Sequence, residues 1–180
     1  RDLVQEEMTK VYMPPQGDAA YLEGVQTLVL GEERRALLRD RLTAVQTPGG
    51  CGAVRLGAEV IFAAAPTATV WVSDPTWPVH IPLMGSVGLQ FKSYRYYSAA
   101  IRGLDFTAML EDLEAASPGD IVLLHGCCHN PSGVDPNAEQ WQALATFMAE
   151  RALVPMIDFA YQGMGAGLNE DAAGLRCLID

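Results

Sequence analysis

Basic residues are scarce in this 180-residue chain: 12 Lys and Arg stand against 22 Asp and Glu, a formal charge of −10. A surface of that sign repels phosphate backbones, so nucleic acid is excluded as a partner class. Lysine occurs only as Lys10 and Lys92. No apolar run approaches the ~20 residues that a membrane-crossing helix needs, and no basic stretch followed by an apolar one opens the chain. A membrane partner is therefore not expected. The cysteines, Cys51, Cys127, Cys128 and Cys177, lack the spacing of a zinc site or a disulfide framework. Neighbours such as Cys127 and Cys128 are badly placed to share one tetrahedral metal. No metal is expected, and free, mostly buried thiols point to a reducing cytoplasm. Internal repeats and low-complexity tracts are absent as well. The chain starts Arg1-Asp2-Leu3 without an initiator Met and stops in mid-pattern at Cys177-Leu178-Ile179-Asp180, which reads as a segment of a longer chain.

What is present is the composition of a packed domain, 49% apolar and 19% charged, values that argue against disorder. Residues 1–17 are polar and then broken at Met13-Pro14-Pro15, which reads as a leading arm; residues 18–180 read as one domain. Asp18 or Ala19 begins a helix that Gly31 stops, and a second helix covers Glu32 to Arg39. Leu42 to Thr47 looks like a strand that runs into the glycine loop Pro48-Gly49-Gly50-Cys51-Gly52, with a helix over Ala53 to Phe62. Further strands are expected at Thr69–Ser73, Gln90–Tyr97, Ile121–Leu124 and Val154–Ile157. Helices are expected at His80–Gly85, Asp105–Ala116 and Asn137–Arg151. Alternating strands and helices imply α/β architecture: a mostly parallel sheet with helices on both faces, in three layers.

The stretch Ile121-Val122-Leu123-Leu124-His125-Gly126-Cys127-Cys128-His129-Asn130-Pro131-Ser132-Gly133 organises the rest. Four aliphatic residues make a strand buried on both faces. Pro131 biases Asn130 away from helix, and Gly133 permits a sharp turn. Asn130 thus lies just beyond the carboxyl end of a buried strand, where open α/β sheets bind ligands. Other strands end in Trp77 with His80, and in Asp158 with Tyr161, while Gly49, Gly50 and Cys51 precede a helix whose N-terminus favours anions. Each has an ordinary structural reading taken singly: a turn, a packed indole, a hydrogen-bonded imidazole, an Asp capping the next helix. Together on one rim they offer a phosphate cradle, an aromatic plate, an amide, an acid and a phenol. That set suits a flat, phosphorylated, cationic heteroaromatic ligand.

Three segments carry a family resemblance. His125-Gly126-Cys127-Cys128-His129-Asn130-Pro131-Ser132-Gly133-Val134-Asp135-Pro136, followed by Glu139-Gln140-Trp141, Ser73-Asp74-Pro75-Thr76-Trp77, and Asp158-Phe159-Ala160-Tyr161-Gln162-Gly163, with Asn169-Glu170-Asp171-Ala172 behind, resemble the aspartate/aromatic aminotransferases in order and over nearly the whole chain. The resemblance implies pyridoxal 5'-phosphate as cofactor, an amino acid and a 2-oxo acid as substrates, and a homodimer. It implies that Asp158 pairs with the pyridine nitrogen, with His80 behind it. Asn130 and Tyr161 would hydrogen-bond the phenolic oxygen, and Trp77 would stack on the ring. Amides at Gly49, Gly50 and Cys51 would take the phosphate, and Tyr12 would reach the partner subunit's phosphate. Cys51 departs from the family, which commonly has Ser or Thr there; a thiol is the weaker donor.

The family's Schiff-base lysine belongs one strand and loop beyond Asp158 and Tyr161. Neither Lys10 nor Lys92 sits in such a motif, and Arg151 and Arg176 match neither the phosphate-binding arginine nor the one that grips the substrate carboxylate. The 180 residues are therefore expected to be the partial large domain of a transaminase, inactive by themselves, with the lysine segment and small domain lying elsewhere. The rival expectation is a non-catalytic truncated product or pseudoenzyme that at most binds cofactor or partner.

Overall fold

A computed structural model describes residues 5–6 and 11–179; Lys10 lies outside the described residues. The chain divides into two compact units, Arg1–Thr47 and Pro48–Asp180.

In the first unit, α1 spans Ala19–Leu30 and α2 spans Glu32–Leu38, followed by a 3₁₀ turn at Arg39–Arg41. Asp18 caps α1 as expected, its side chain accepting the Tyr21 N–H at 2.8 Å, which satisfies one of the unpaired donors at a helix start. The strand expected at Leu42–Thr47 does not form. Gln46 instead donates its N–H to the Gln16 carbonyl at 2.7 Å, and its side-chain oxygen accepts the Asp18 N–H at 3.0 Å. Leu42 itself is extended, but no ladder partner exists for this segment among the described residues.

The second unit opens with α3, Gly49–Ala64. This corrects the expected loop over residues 48–52: Gly49 makes the entering turn with φ +77°, which glycine adopts without a steric penalty, and the helix begins there. Pro48 stands outside it as the N-cap, with φ −73° and ψ 76°. Strands β1 (Thr69–Asp74), β2 (Gln90–Arg95), β5 (Ile121–His125) and β6 (Val154–Asp158) form one sheet in the order β2-β1-β5-β6, every pair parallel. A two-residue antiparallel pair, β3 (Tyr97–Ser98) with β4 (Gly103–Leu104), stands apart from it. It takes the end of the strand expected to run unbroken from Gln90 to Tyr97. Helices α4 (His80–Gly85), α5 (Phe106–Leu113), α6 (Ala138–Glu150) and α7 (Ala173–Cys177) complete the unit.

Period-two alternation divides the core. Val70 and Val72 of β1 and Ile121 and Leu123 of β5 pack with Val54 and Ala58 of α3 and Met84 of α4. Trp71, Val122 and Leu124 point the other way, against Met109 and Leu113 of α5 and Trp141, Leu144 and Met148 of α6. The three-layer α/β/α reading holds, and β5 is buried at all five positions. At the amino ends of the strands the Asp120 carboxylate accepts the Thr69 N–H at 2.9 Å, the Trp71 indole N–H at 3.1 Å and the Ser117 N–H at 3.0 Å.

Sequence order reverses between β1 and β5: the chain passes from β1 outward to β2, then returns to the opposite side of β1. Ligand crevices of open α/β sheets lie at such a switch point, beyond the carboxyl ends of the strands.

Candidate active site

Several chemically distinctive groups of the second unit gather at that end. An open cleft of about 440 Å³ is lined by Gly50, Trp77, Asn130, Asp158 and Tyr161 of the expected residues, together with Val54, His125, Cys127 and Ala160. Gly49 and Cys51 flank Gly50 in the first turn of α3 without lining the cleft. Tyr12, in the first unit, is almost fully exposed.

Asp158 closes β6 and caps no helix; the next, α7, begins fifteen residues later at Ala173. Its Oδ2 accepts a hydrogen bond from His80 Nε2 at 2.8 Å. That bond, ahead of the opposing cost of burial, holds the carboxyl below the ordinary carboxylate range, so the acid meets the cleft ionised. His80 is fully buried, with Trp77 edge-on to its ring at a centroid distance of 5.2 Å.

Behind His80 runs a series of hydrogen bonds that sequence reasoning missed. His80 Nδ1 and Thr76 Oγ1 are 2.9 Å apart, Thr76 Oγ1 and His125 Nε2 are 3.3 Å apart, and the Asn130 N–H donates to His125 Nδ1 at 3.3 Å. One ordering satisfies every partner: Asn130 N–H to His125, His125 Nε2–H to Thr76, Thr76 O–H to His80, His80 Nε2–H to Asp158. The Asn130 backbone and the Asp158 carboxylate are thereby joined through two imidazoles and a hydroxyl. The one signal available in the sequence was a histidine closing an otherwise aliphatic strand, at His125.

The turn that presents Asn130 is built from strain and its compensation. Cys128 adopts φ +49°, a costly region for a residue with a Cβ. The Asp135 carboxylate accepts its N–H at 2.7 Å and that of His129 at 2.9 Å. His129 stacks on Tyr96 at 4.0 Å and hydrogen-bonds Ser73 at 2.9 Å and Ser132 at 2.8 Å. Burial, reinforced by the neighbouring imidazoles, pushes His125 down to about 3. Burial likewise pushes His129 down to about 4, against a raising backbone hydrogen bond.

The single described lysine, Lys92, stands mid-strand in β2, its Nζ over the Trp71 ring at 5.2 Å. It is not among the residues of the cleft.

The family model for aminotransferase class I and II matches residues 1–180. An aspartate aminotransferase of Haemophilus influenzae is 47% identical over 174 residues, covering 97% of this chain and 44% of that protein. An aromatic-amino-acid aminotransferase of Pseudomonas aeruginosa is also 47% identical, over 97% of this chain and 43% of its own length. The crystal structure of an aromatic-amino-acid aminotransferase from Burkholderia pseudomallei, covalently bound to pyridoxal phosphate, superposes with a TM-score of 0.94 at 39% identity. It covers 99% of this chain and 45% of that one. The chain thus spans less than half the length of the curated relatives it matches. Such agreement in sequence along the whole chain, and in fold, leaves one assignment: the chain belongs to the class I and II aminotransferases, with aspartate and aromatic-amino-acid aminotransferases as its relatives.

Proposed function

We propose that these residues form most of the cofactor half of a pyridoxal phosphate-dependent aminotransferase. In the whole protein it would pass an amino group between an aspartate-like or aromatic amino acid and a 2-oxo acid, with glutamate and 2-oxoglutarate as one pair. The observation that carries the reading is Asp158, an ionised carboxylate on the cleft wall backed by buried His80. A carboxylate kept charged in such a place calls for a cationic partner in the cleft. The donor set fits the cofactor group by group: indole face, amide, phenol, acid and helix N-terminus border one space. When bound, pyridoxal phosphate supplies the electron sink for a carbanion at the substrate's α-carbon.

The chain's own residues do the rest. Asp158 holds a proton on the ring nitrogen, and His80 holds Asp158. Trp77 stacks on the ring. Asn130 and Tyr161 hydrogen-bond the phenolic oxygen, while amides at Gly49, Gly50 and Cys51 take the phosphate at the N-terminus of α3. Tyr12 reaches the phosphate of the partner subunit in a homodimer. Of the thiols expected to be mostly buried only Cys127 is; Cys51 is exposed and Cys128 and Cys177 are half-buried. The absence of a disulfide among the described residues fits a reducing cytoplasm. Lys92 stands over Trp71 and away from the cleft, so no lysine among the described residues is placed to take part in transfer, and the segment taken alone is expected to hold cofactor without catalysing it. This placement favours the non-catalytic reading for the segment, though not for the whole protein.

The test is direct. The whole polypeptide, reconstituted with pyridoxal phosphate, should transfer amino groups from aspartate or an aromatic amino acid to 2-oxoglutarate. The 180-residue chain should bind the cofactor reversibly, without turnover. No transfer by the whole polypeptide, or transfer by the short chain, would contradict the reading. Cys51→Ser provides a finer probe. A hydroxyl donor in place of a thiol is worth ~1 kcal/mol, so cofactor affinity should rise about fivefold. Equilibrium dialysis showing an unchanged or weaker Kd would remove the Cys51 side chain from the phosphate cradle and leave only its amide.

A further inference from the structure

We propose that Asp171 is the positioning residue for Tyr161, holding the glycine-rich turn after β6 in the shape that brings the phenol to the cleft. The inference rests on the reading that Tyr161 hydrogen-bonds the cofactor's phenolic oxygen. Asp171 lies ten residues further along and is 7% exposed; the family resemblance takes in its segment but gives it no role.

Its carboxylate takes hydrogen bonds from one loop. Oδ2 accepts the N–H of Gly163 at 2.8 Å and of Gly165 at 3.0 Å; Oδ1 accepts that of Ala166 at 2.7 Å and of Gly167 at 3.4 Å. Four donors within five residues converge on one side chain, so the loop wraps it. These backbone donors, that of Gly165 first, hold the acid below its ordinary range. The wrapped loop starts at Tyr161, whose carbonyl accepts the Met164 N–H at 3.0 Å. Close approach is required: a Cβ at Gly165 would meet Asp171 Oδ1 at 2.7 Å.

The far side of Asp171 is anchored. Ala172 is fully buried, and Gly174 of α7 lies so near the Trp141 indole of α6 that a side chain there would collide with it. Position therefore passes from the packed helix α6 to α7, to Asp171, to the loop and to Tyr161. A carboxylate is suited to the task, since both oxygens accept and each takes two donors. An amide would present two N–H groups of its own to the loop's donors.

The experiment compares holoenzyme carrying Tyr161→Phe, Asp171→Asn, or both. It follows the pH midpoint of the bound cofactor's absorption, the cofactor Kd and the thermal midpoint. A phenol hydrogen-bonded to the ionised phenolic oxygen favours that form, so Tyr161→Phe should raise the pH midpoint. Asp171→Asn should raise it by about half a unit, and should add nothing in the Tyr161→Phe background. An unmoved midpoint in Tyr161→Phe would overturn the underlying reading of Tyr161. A shift in Tyr161→Phe but not in Asp171→Asn, or an Asp171→Asn shift that persists in the double variant, would overturn the positioning role. Gly165→Ala keeps the carboxylate but displaces it, and should reproduce the shift and its loss in the Tyr161→Phe background. It decides the question if Asp171→Asn does not fold.

Discussion

Asp158→Asn should lower kcat/KM for amino transfer by the whole enzyme about 10²–10⁴-fold, the range that follows from breaking a buried charge pair worth about 3–5 kcal/mol. The substitution keeps the volume and removes the charge. His80 Nε2 still has an oxygen to donate to at the position of Oδ2, so the fold should survive with little change in thermal midpoint. A neutral amide cannot favour the protonated form of a ring nitrogen, and the loss should appear mainly in kcat rather than in KM. Cofactor affinity should fall alongside. A variant within threefold of the parent, with its cofactor retained, would show that Asp158 plays no part in the chemistry.

Acid should destabilise the fold between pH 7 and pH 5 through two buried imidazoles. In the folded chain His125 is pushed down to about 3 and His129 to about 4, from an ordinary value of 6.5. The unfolded chain therefore takes up two protons below pH 6.5 that the folded chain refuses. Their contribution to stability is complete above pH 6.5 and shrinks as the pH falls, by about 1.4 kcal/mol per unit for each imidazole. It stops changing once the folded values are passed. Between pH 7 and pH 5 the pair should remove about 3–4 kcal/mol. Asp158 and Asp171 act lower down, because their contributions are lost only below the ordinary aspartate value of 3.8. Urea unfolding at pH 7 and pH 5, paired with NMR titration of the imidazoles, measures both halves of the claim. Equal unfolding midpoints, or His125 and His129 titrating near 6.5, would refute it.

The parts of this architecture that a reader of the sequence can recover are those fixed by short-range pattern. Ile121–Leu124 is aliphatic throughout and is buried on both faces. Asn137 and Gln140 form the reciprocal cap that starts α6. The strand-end placement of Trp77, Asn130, Asp158 and Tyr161 follows once the strands are known to be parallel. Leu42–Thr47 misled because alternating apolar residues record strand propensity, whereas a strand also needs a neighbour. The start of α3 was hidden because consecutive glycines weaken helix propensity, yet Val54 and Ala58, four apart, pin the helix to the sheet. Thr76 and His125 are 49 positions apart, and no local signal links them. Asp171 stands in a segment that resembles the family, but its role was hidden, because its partners are backbone groups, which every residue carries.

The three hydrogen bonds that Asp120 accepts also settle where the sheet takes its alignment from. A one-residue slip of β1 would exchange Trp71 with its neighbours Val70 and Val72 between the two cores. Asp120 forbids that slip by gripping both Thr69 and Trp71. It does so at the amino ends of the strands, while the cleft lies at the carboxyl ends. The reference point for alignment is thus separate from the working surface. Substitutions, and even insertions, in the segments around Trp77, Asn130 or Tyr161 can reshape what the cleft accepts without moving the strands beneath it. A scaffold indexed from the opposite end in this way can vary its rim while keeping its frame.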